Sequence, residues 1–271
     1  MEKKSLYNFY NVLQNLQNAR VGGLKGLLLG DTPLVKVEQT PSIVPSDNVG
    51  DFIGESGNMS IVSVSGILTK GASALECELL GMQDTDEISN AIDESANDPS
   101  VSSVVIAFSS PGGETTGIEE LGRKIRDIDT NIKPIYGWTE THAASAAYWL
   151  LSQTRKIGMT PSSQVGSVGV YMLVLDATGK YKQEGINVQA ISSGYWKLMG
   201  HDFNPLSKEE EEFLLKDVQK QHEKFKQVIL EKRPGVKPES LEGLSYEGSE
   251  ALDNGLVDVV VDDFDEFLAE I

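Results

Sequence analysis

The sequence predicts an α/β domain with a largely parallel sheet. Two observations carry that expectation. Short apolar runs alternate along the chain with segments whose apolar residues recur at helical spacing. The chain of 271 residues, 39% hydrophobic and 24% charged, is also long enough to bury a sizeable core in one large domain.

The first apolar pattern is an amphipathic stripe of Leu6, Phe9, Tyr10, Leu13 and Leu16, which reads as an N-terminal helical arm. Only Lys3 and Lys4 flank it as cations, so it is expected to pack on its own domain or a neighbouring subunit, not on a membrane. Residues 30–58 are rich in Pro, Gly, Ser and Asp and read as a linker, which divides the chain into an arm with its linker (1–58) and a main domain (59–271). Strands are predicted at 61–64, 104–108, 135–138, 156–159 and 188–191, and helices at 86–96, 117–128, 144–152 and 175–184. A long charged helix follows over 207–231, with Ser207 as N-cap and Glu209, Glu210, Glu211 and Glu212 near its positive end. After Gly255, residues 256–261 read as a last strand and 262–271 as a short acidic helix or frayed end.

Composition excludes several functions. A formal net charge of −18 with no Lys/Arg cluster argues against binding nucleic acid, since phosphate contacts need a basic surface. No targeting signal or membrane span is expected: the best apolar candidate, residues 24–29, is interrupted by Lys25 and Gly26 and is far shorter than the roughly 20 residues a span needs. No His/Cys/Asp/Glu grouping has metal-ligand spacing, and no cofactor is called for. The single cysteine, Cys77, fits a reducing compartment. Its neighbours Glu76 and Glu78 raise a thiol pKa, which makes it a poor nucleophile.

Four short segments carry possible chemistry. Ser145 lies among small residues, Ala143-Ala144-Ser145-Ala146-Ala147, which leave its hydroxyl open to a substrate. A serine needs a base beside it, and a lysine serves only where its surroundings favour the neutral amine. Lys197, flanked by Tyr195, Trp196, Leu198 and Met199, is the candidate. Ser110-Pro111-Gly112-Gly113 falls between a strand and a helix, where glycines let backbone N–H groups point into a cleft; the same residues also suit a tight turn. Gly166-Ser167-Val168-Gly169-Val170 has the same small-residue character and the same two readings.

Taken in order, these four segments and Tyr246-Glu247-Gly248-Ser249-Glu250-Ala251 resemble the signal peptide peptidase A family of serine peptidases, most of all its phage capsid-assembly (prohead) branch. The likeness spans about residues 60–261. It implies a Clp/crotonase-like ββα superhelix with an N-terminal helical arm and a long C-terminal helix. It also implies Ser145 as nucleophile, Lys197 as general base 52 residues downstream, Gly112 and Gly113 lining an oxyanion hole, and Gly166, Ser167 and Val168 in substrate binding. A homo-oligomeric ring follows from the same resemblance, with Ser145 facing a chamber and Lys197 donated by the adjacent protomer. Protein substrates are implied, in the phage reading scaffold, portal or capsid proteins and the chain's own termini, cleaved in the host cytoplasm or the prohead. Bacterial relatives commonly carry a membrane anchor, so its absence here favours the phage or a cytosolic branch, and with no C-terminal scaffold extension either a separate scaffold protein or a diverged role is expected. Two departures bear on substrate preference: Tyr195-Trp196 where small residues and histidine are common, and Met199-Gly200-His201-Asp202 for a frequent Asp-Gly-Asn-Pro.

Other readings stay open at this point. A Clp-type peptidase requires a histidine base downstream of its serine, yet no histidine lies between His142 and His201, and these two with His222 read as surface or structural. A crotonase-like acyl-CoA enzyme would need neither Ser145 nor Lys197. A host cytosolic peptidase, or a silent scaffold component that keeps the fold for its interfaces, is the remaining alternative.

Overall fold

The apolar run 104–108 lies in a strand enclosed on both faces, and the domain is built outward from it. The computed structural model describes residues 49–54 and 57–271. Strand β4 (Val101–Gly113) sends Val104, Ile106 and Phe108 into the main core. There they meet Ile88 and Ile92 of helix α2 (Thr85–Asn97) and Leu121 and Ile125 of α3 (Ile118–Asn131). Val105 points the other way, into a smaller cluster with Met59, Trp138 and Phe267. A continuous apolar strand is what two covered faces require.

Six strands run across the sheet in the order β1-β2-β4-β5-β6-β9. Strand β1 (Val49–Gly54) forms an antiparallel hairpin with β2 (Gly57–Thr69). From β2 onward the path is parallel, through β4, β5 (Ile135–Ala144), β6 (Ile157–Met159) and β9 (Val259–Val260). Parallel neighbours need crossovers. Helices α2, α3 and α4 (Ala146–Ser152) supply them between β3 and β4, β4 and β5, and β5 and β6. Two short strands branch off the path: β3 (Met82–Asp84) pairs with the end of β2, and β7 (Gln164–Gly166) with the end of β5. Strand β5 is therefore forked, with Gly137 to Thr139 bonded to β6 and His142 to Ala144 bonded to β7. Strand β8 (Ser245–Glu247) closes the second prong antiparallel to β7.

The remaining helices are capped as their sequences dictate. Ser73 and Glu76 form a capping box on α1 (Ala74–Leu80), and Ser207 and Glu210 form another on α6 (Lys208–Lys232). The C-terminal half of α6 docks on α4, where Phe225 stacks on Trp149 at 4.7 Å between ring centroids. Its N-terminal half exposes Phe213 and Leu215. Helix α7 (Gly248–Asp253) follows β8, and α8 (Phe264–Leu268) closes the chain over the smaller cluster. Among the described residues no helix is long and apolar enough to cross a membrane.

The α/β class and the largely parallel sheet agree with expectation. The strand predicted at 188–191 is absent: these residues are irregular, with Val188 and Ile191 turned to solvent and no neighbouring strand to bond. The helix predicted at 175–184 contracts to α5 (Thr178–Gln183), and the strand predicted at 256–261 to β9. The helical arm over residues 6–16 lies outside the described residues, as does most of the 30–58 linker, but residues 49–54 and 57–58 of that stretch are strand.

Candidate active site

Strands β4, β5 and β7 end side by side, and their last residues bring three of the four singled-out segments together. Ser110 sits opposite Ala143, and Ala144 opposite Gly166. Ser145 follows at once, as the N-cap of α4. Its backbone is strained, with φ 54° and ψ −123° in a residue that is not glycine, a conformation costing about 1–3 kcal/mol. Two hydrogen bonds impose it: Ser145 N–H donates to the Gly166 carbonyl at 2.8 Å, and the Ser145 carbonyl accepts from Trp149 N–H at 2.9 Å. A sharp strand-to-helix turn of this kind lifts a side chain clear of the sheet. Ser145 is accordingly partly exposed while Ala143, Ala144, Ala146 and Ala147 are buried.

Gly112 packs directly against this turn. Its φ of 99° suits glycine alone, and a Cβ there would lie 2.7 Å from both the Ser145 Cβ and the Ala144 carbonyl and 2.9 Å from Ala146 N. Gly113 has no more room, since a Cβ would come within 1.9 Å of the Leu68 carbonyl. Both glycines are thus required by close approach, Gly112 buried and Gly113 exposed. The Gly112 N–H is engaged: it donates to Ser110 Oγ at 3.1 Å. Ala146 N–H, the first amide of α4 and without an intrahelical acceptor, faces the same place, a donor that no side-chain pattern reveals.

In the third segment, Gly166 has φ 117° and Ser167, another strained non-glycine residue, φ 53°. Ser167 N–H donates to the Leu244 carbonyl at 2.7 Å, tying the segment to the start of β8. Val168 is buried in the main core, so of Gly166, Ser167 and Val168 only Ser167 is partly exposed.

Lys197 is exposed, and among the described residues no hydrogen bond joins its side chain to this cluster. It lies on a 3-10 turn, Tyr195–Leu198, where its apolar neighbours in sequence do not enclose it and its side chain is exposed. The turn is anchored instead to α6: Trp196 stacks on Phe213 at 5.1 Å, and Tyr195 Oη donates to Glu209 at 3.0 Å. Tyr171, Met172, Leu173, Leu175 and Ile191 are exposed as well. A groove of about 400 Å³ is lined by Val170, Tyr171, Met172 and Val174 and by Leu214, Leu215 and Val218 of α6.

The other candidates are accounted for. His222 Nε2 bonds to the Leu241 carbonyl at 2.8 Å, and His201 stacks on Phe203. His142 lies on β5, its pKa lowered by burial. Partial burial, then the Glu87 and Asp84 carboxylates, push the Cys77 thiol up, which keeps it unreactive. No group of three or more His, Cys, Asp or Glu residues that could hold a metal ion occurs among the described residues.

Residues 128–270, which contain Ser145, β7 and Lys197, match the model of peptidase family S49. A putative protease of Methanocaldococcus jannaschii is 34% identical over 174 residues, covering 63% of this chain and 56% of that protein. A putative signal peptide peptidase of Enterococcus faecium is 28% identical, covering 60% of this chain and 48% of its own. Capsid assembly protease C of Escherichia phage lambda is 26% identical over 213 residues, covering 76% of this chain and 47% of its own. The chain thus spans about half the length of the curated relatives it matches.

Proposed function

The chain belongs to peptidase family S49, and from that premise we propose that it is a serine endopeptidase in which Ser145 and Lys197 form the reacting dyad. The single observation that carries the reading is the Ser145 turn: a strained, partly exposed hydroxyl at the head of a helix, with the Gly112 backbone pressed against it. Neutral Lys197 takes the Ser145 proton as Oγ attacks a peptide carbonyl. The tetrahedral oxyanion is received by backbone amides of the Gly112-Gly113 turn together with Ala146 N–H. Water then hydrolyses the acyl-enzyme. Gly166 and Ser167 border the path of the bound peptide.

The placement of Lys197 bears on assembly. In this reading the chain forms a homo-oligomeric ring, and the exposed apolar surface around residues 171–196 is covered by the next protomer, whose serine Lys197 then serves. Burial between subunits supplies the desolvation that a general-base lysine needs. The domain over 59–271 adopts the Clp/crotonase-like superhelix, in which the forked β5 marks the bend.

The likeness to the lambda capsid assembly protease supports scaffold, portal or capsid-associated proteins, cleaved in the prohead, as substrates. The matches to cellular proteases keep a host peptidase of the same chemistry as the second reading.

The test is direct. Ser145→Ala is expected to fold and assemble normally while losing peptide cleavage and labelling by a fluorophosphonate. Lys197→Arg keeps the charge but cannot be deprotonated, so it is expected to be as inactive as Lys197→Ala. Near-normal cleavage by Ser145→Ala would remove the nucleophile from this reading.

A further inference from the structure

Strand β4 loses its regular ladder on both sides as it reaches the site. Its register with β2 shifts between Ser65 and Ile67, and its register with β5 shifts between Phe108 and Ser110. Pro111, which has no N–H, adds another gap. The ladder resumes only at Gly112 and Gly113, opposite Ile67 and Leu68, so Gly112 is placed just past the break, where a Cβ would sit only 2.7 Å from that of Ser145.

One side chain bridges the break. Ser110 is fully buried, and its hydroxyl donates to the Gly66 carbonyl on β2 at 2.7 Å while accepting from Gly112 N–H at 3.1 Å. Its anchor is itself held tightly: a Cβ on Gly66 would lie 2.1 Å from the Gly81 carbonyl, which accepts from Ile67 N–H at 3.0 Å.

We propose that Ser110 is a positioning residue for the reaction, its hydroxyl fixing the Gly112 backbone against the nucleophile and orienting the amides that meet the oxyanion. The proposal rests on Ser145 being the nucleophile. Gly112 N–H reaches an oxyanion only by sharing with Ser110 Oγ or leaving it, so the hydroxyl also sets how strongly that amide is available. A donor misplaced by about 1 Å is worth roughly a hundred-fold in rate, and a donor removed outright 10²–10³. The effect belongs to the transition state, so it appears in kcat more than in KM.

The experiment compares Ser110→Ala, Ser110→Cys and Ser110→Thr with wild type. It measures melting temperature, kcat and KM on a fluorogenic peptide, and affinity for the aldehyde of the same peptide, whose hemiacetal mimics the tetrahedral intermediate. Ala and Cys are expected to lower kcat about 10- to 100-fold with KM within about two-fold, and to weaken the aldehyde in step with kcat/KM. Thr, which keeps the hydroxyl, is expected to restore both to within a few-fold. If Ala does not fold, the near-isosteric Cys variant decides. Wild-type kcat and aldehyde affinity in folded Ala or Cys protein would overturn the proposal, as would losses that only track the folded fraction. Ser145→Ala run alongside separates the two ideas: if it still cleaves and is labelled by a fluorophosphonate, the nucleophile reading fails, whereas if it is dead and the Ser110 variants behave as wild type, only the role of Ser110 fails.

Discussion

Replacing Gly112 with alanine tests the packing of the site with the smallest possible change. The added methyl would meet the Ser145 Cβ and the Ala144 carbonyl at 2.7 Å and Ala146 N at 2.9 Å, and two of these three atoms are backbone, so no flexible side chain can swing aside. Overpacking of this kind costs about 1–3 kcal/mol. The φ of 99° adds about 1–3 kcal/mol more for any residue with a Cβ. The sum, about 2–6 kcal/mol, appears as lost stability, as a displaced Ser145 turn, or as both. For a chain of this size each kcal/mol shifts the melting temperature by about 2–4 °C, so a fall on the order of 10 °C is expected by calorimetry. If Ser145 is the nucleophile, peptide cleavage is expected to drop at least about a hundred-fold even in the folded fraction, since a shift near 1 Å there is enough. Gly235→Ala is the control: a Cβ there meets nothing within 4 Å and φ is not positive, so stability should stay within about 0.5 kcal/mol of wild type. Wild-type melting and turnover in Gly112→Ala would refute the claim that Gly112 and Ser145 are in close contact.

Three further outcomes are expected. Mixing inactive Ser145→Ala with inactive Lys197→Ala protein should restore a fraction of wild-type activity if the dyad is shared between protomers; no recovery despite demonstrated subunit exchange means each protomer carries its own. Tyr148→Phe removes the donor to the buried Leu256 carbonyl, a 2.9 Å bond from a phenol that burial keeps protonated, and should cost about 1–3 kcal/mol in chemical denaturation; an unchanged midpoint counts against that bond. Burial holds the folded-state pKa of His142 below the ordinary imidazole value of 6.5, so the unfolded chain takes up the proton first and stability falls as pH drops through 6.5 and below, with a plateau above. His142→Gln should flatten that loss in melts between pH 7.5 and 5, and an identical slope in both proteins assigns it to other groups.

Much of the scaffold was legible because burial and periodicity agree there. Val104 to Phe108 reads as a buried strand and is one, and Ser207 with Glu210 announces the start of α6. The elements that escaped are those whose existence depends on a partner far along the chain. Strands β3, β7 and β8 have three residues each, too few for any period, and form because β2, β5 and β7 respectively offer them an edge. Val188 to Ile191 shows the converse, a β-prone run with no edge to join. At the site, the small residues around Ser145 were readable, but its positive φ was not, because no glycine marks it. The neighbours of Lys197 are engaged elsewhere in the chain. Tyr195 and Trp196 turn toward Glu209 and Phe213 of α6, so apolar residues adjacent in sequence leave the amine exposed.

The fork in β5 gives the end of the chain an influence that its distance from the serine conceals. One prong, β6, is edged by β9, and the other, β7, by β8, so residues 245–260 clasp both prongs from outside. The Leu244 carbonyl, just before β8, holds Ser167, while the Gly166 carbonyl, one residue earlier, holds Ser145. A relay of two backbone hydrogen bonds therefore runs from the C-terminal clasp to Ser145. Whatever tightens or loosens that clasp, a fused domain or a trimmed terminus included, acts on the angle at which the serine is presented without touching any group that takes part in the chemistry.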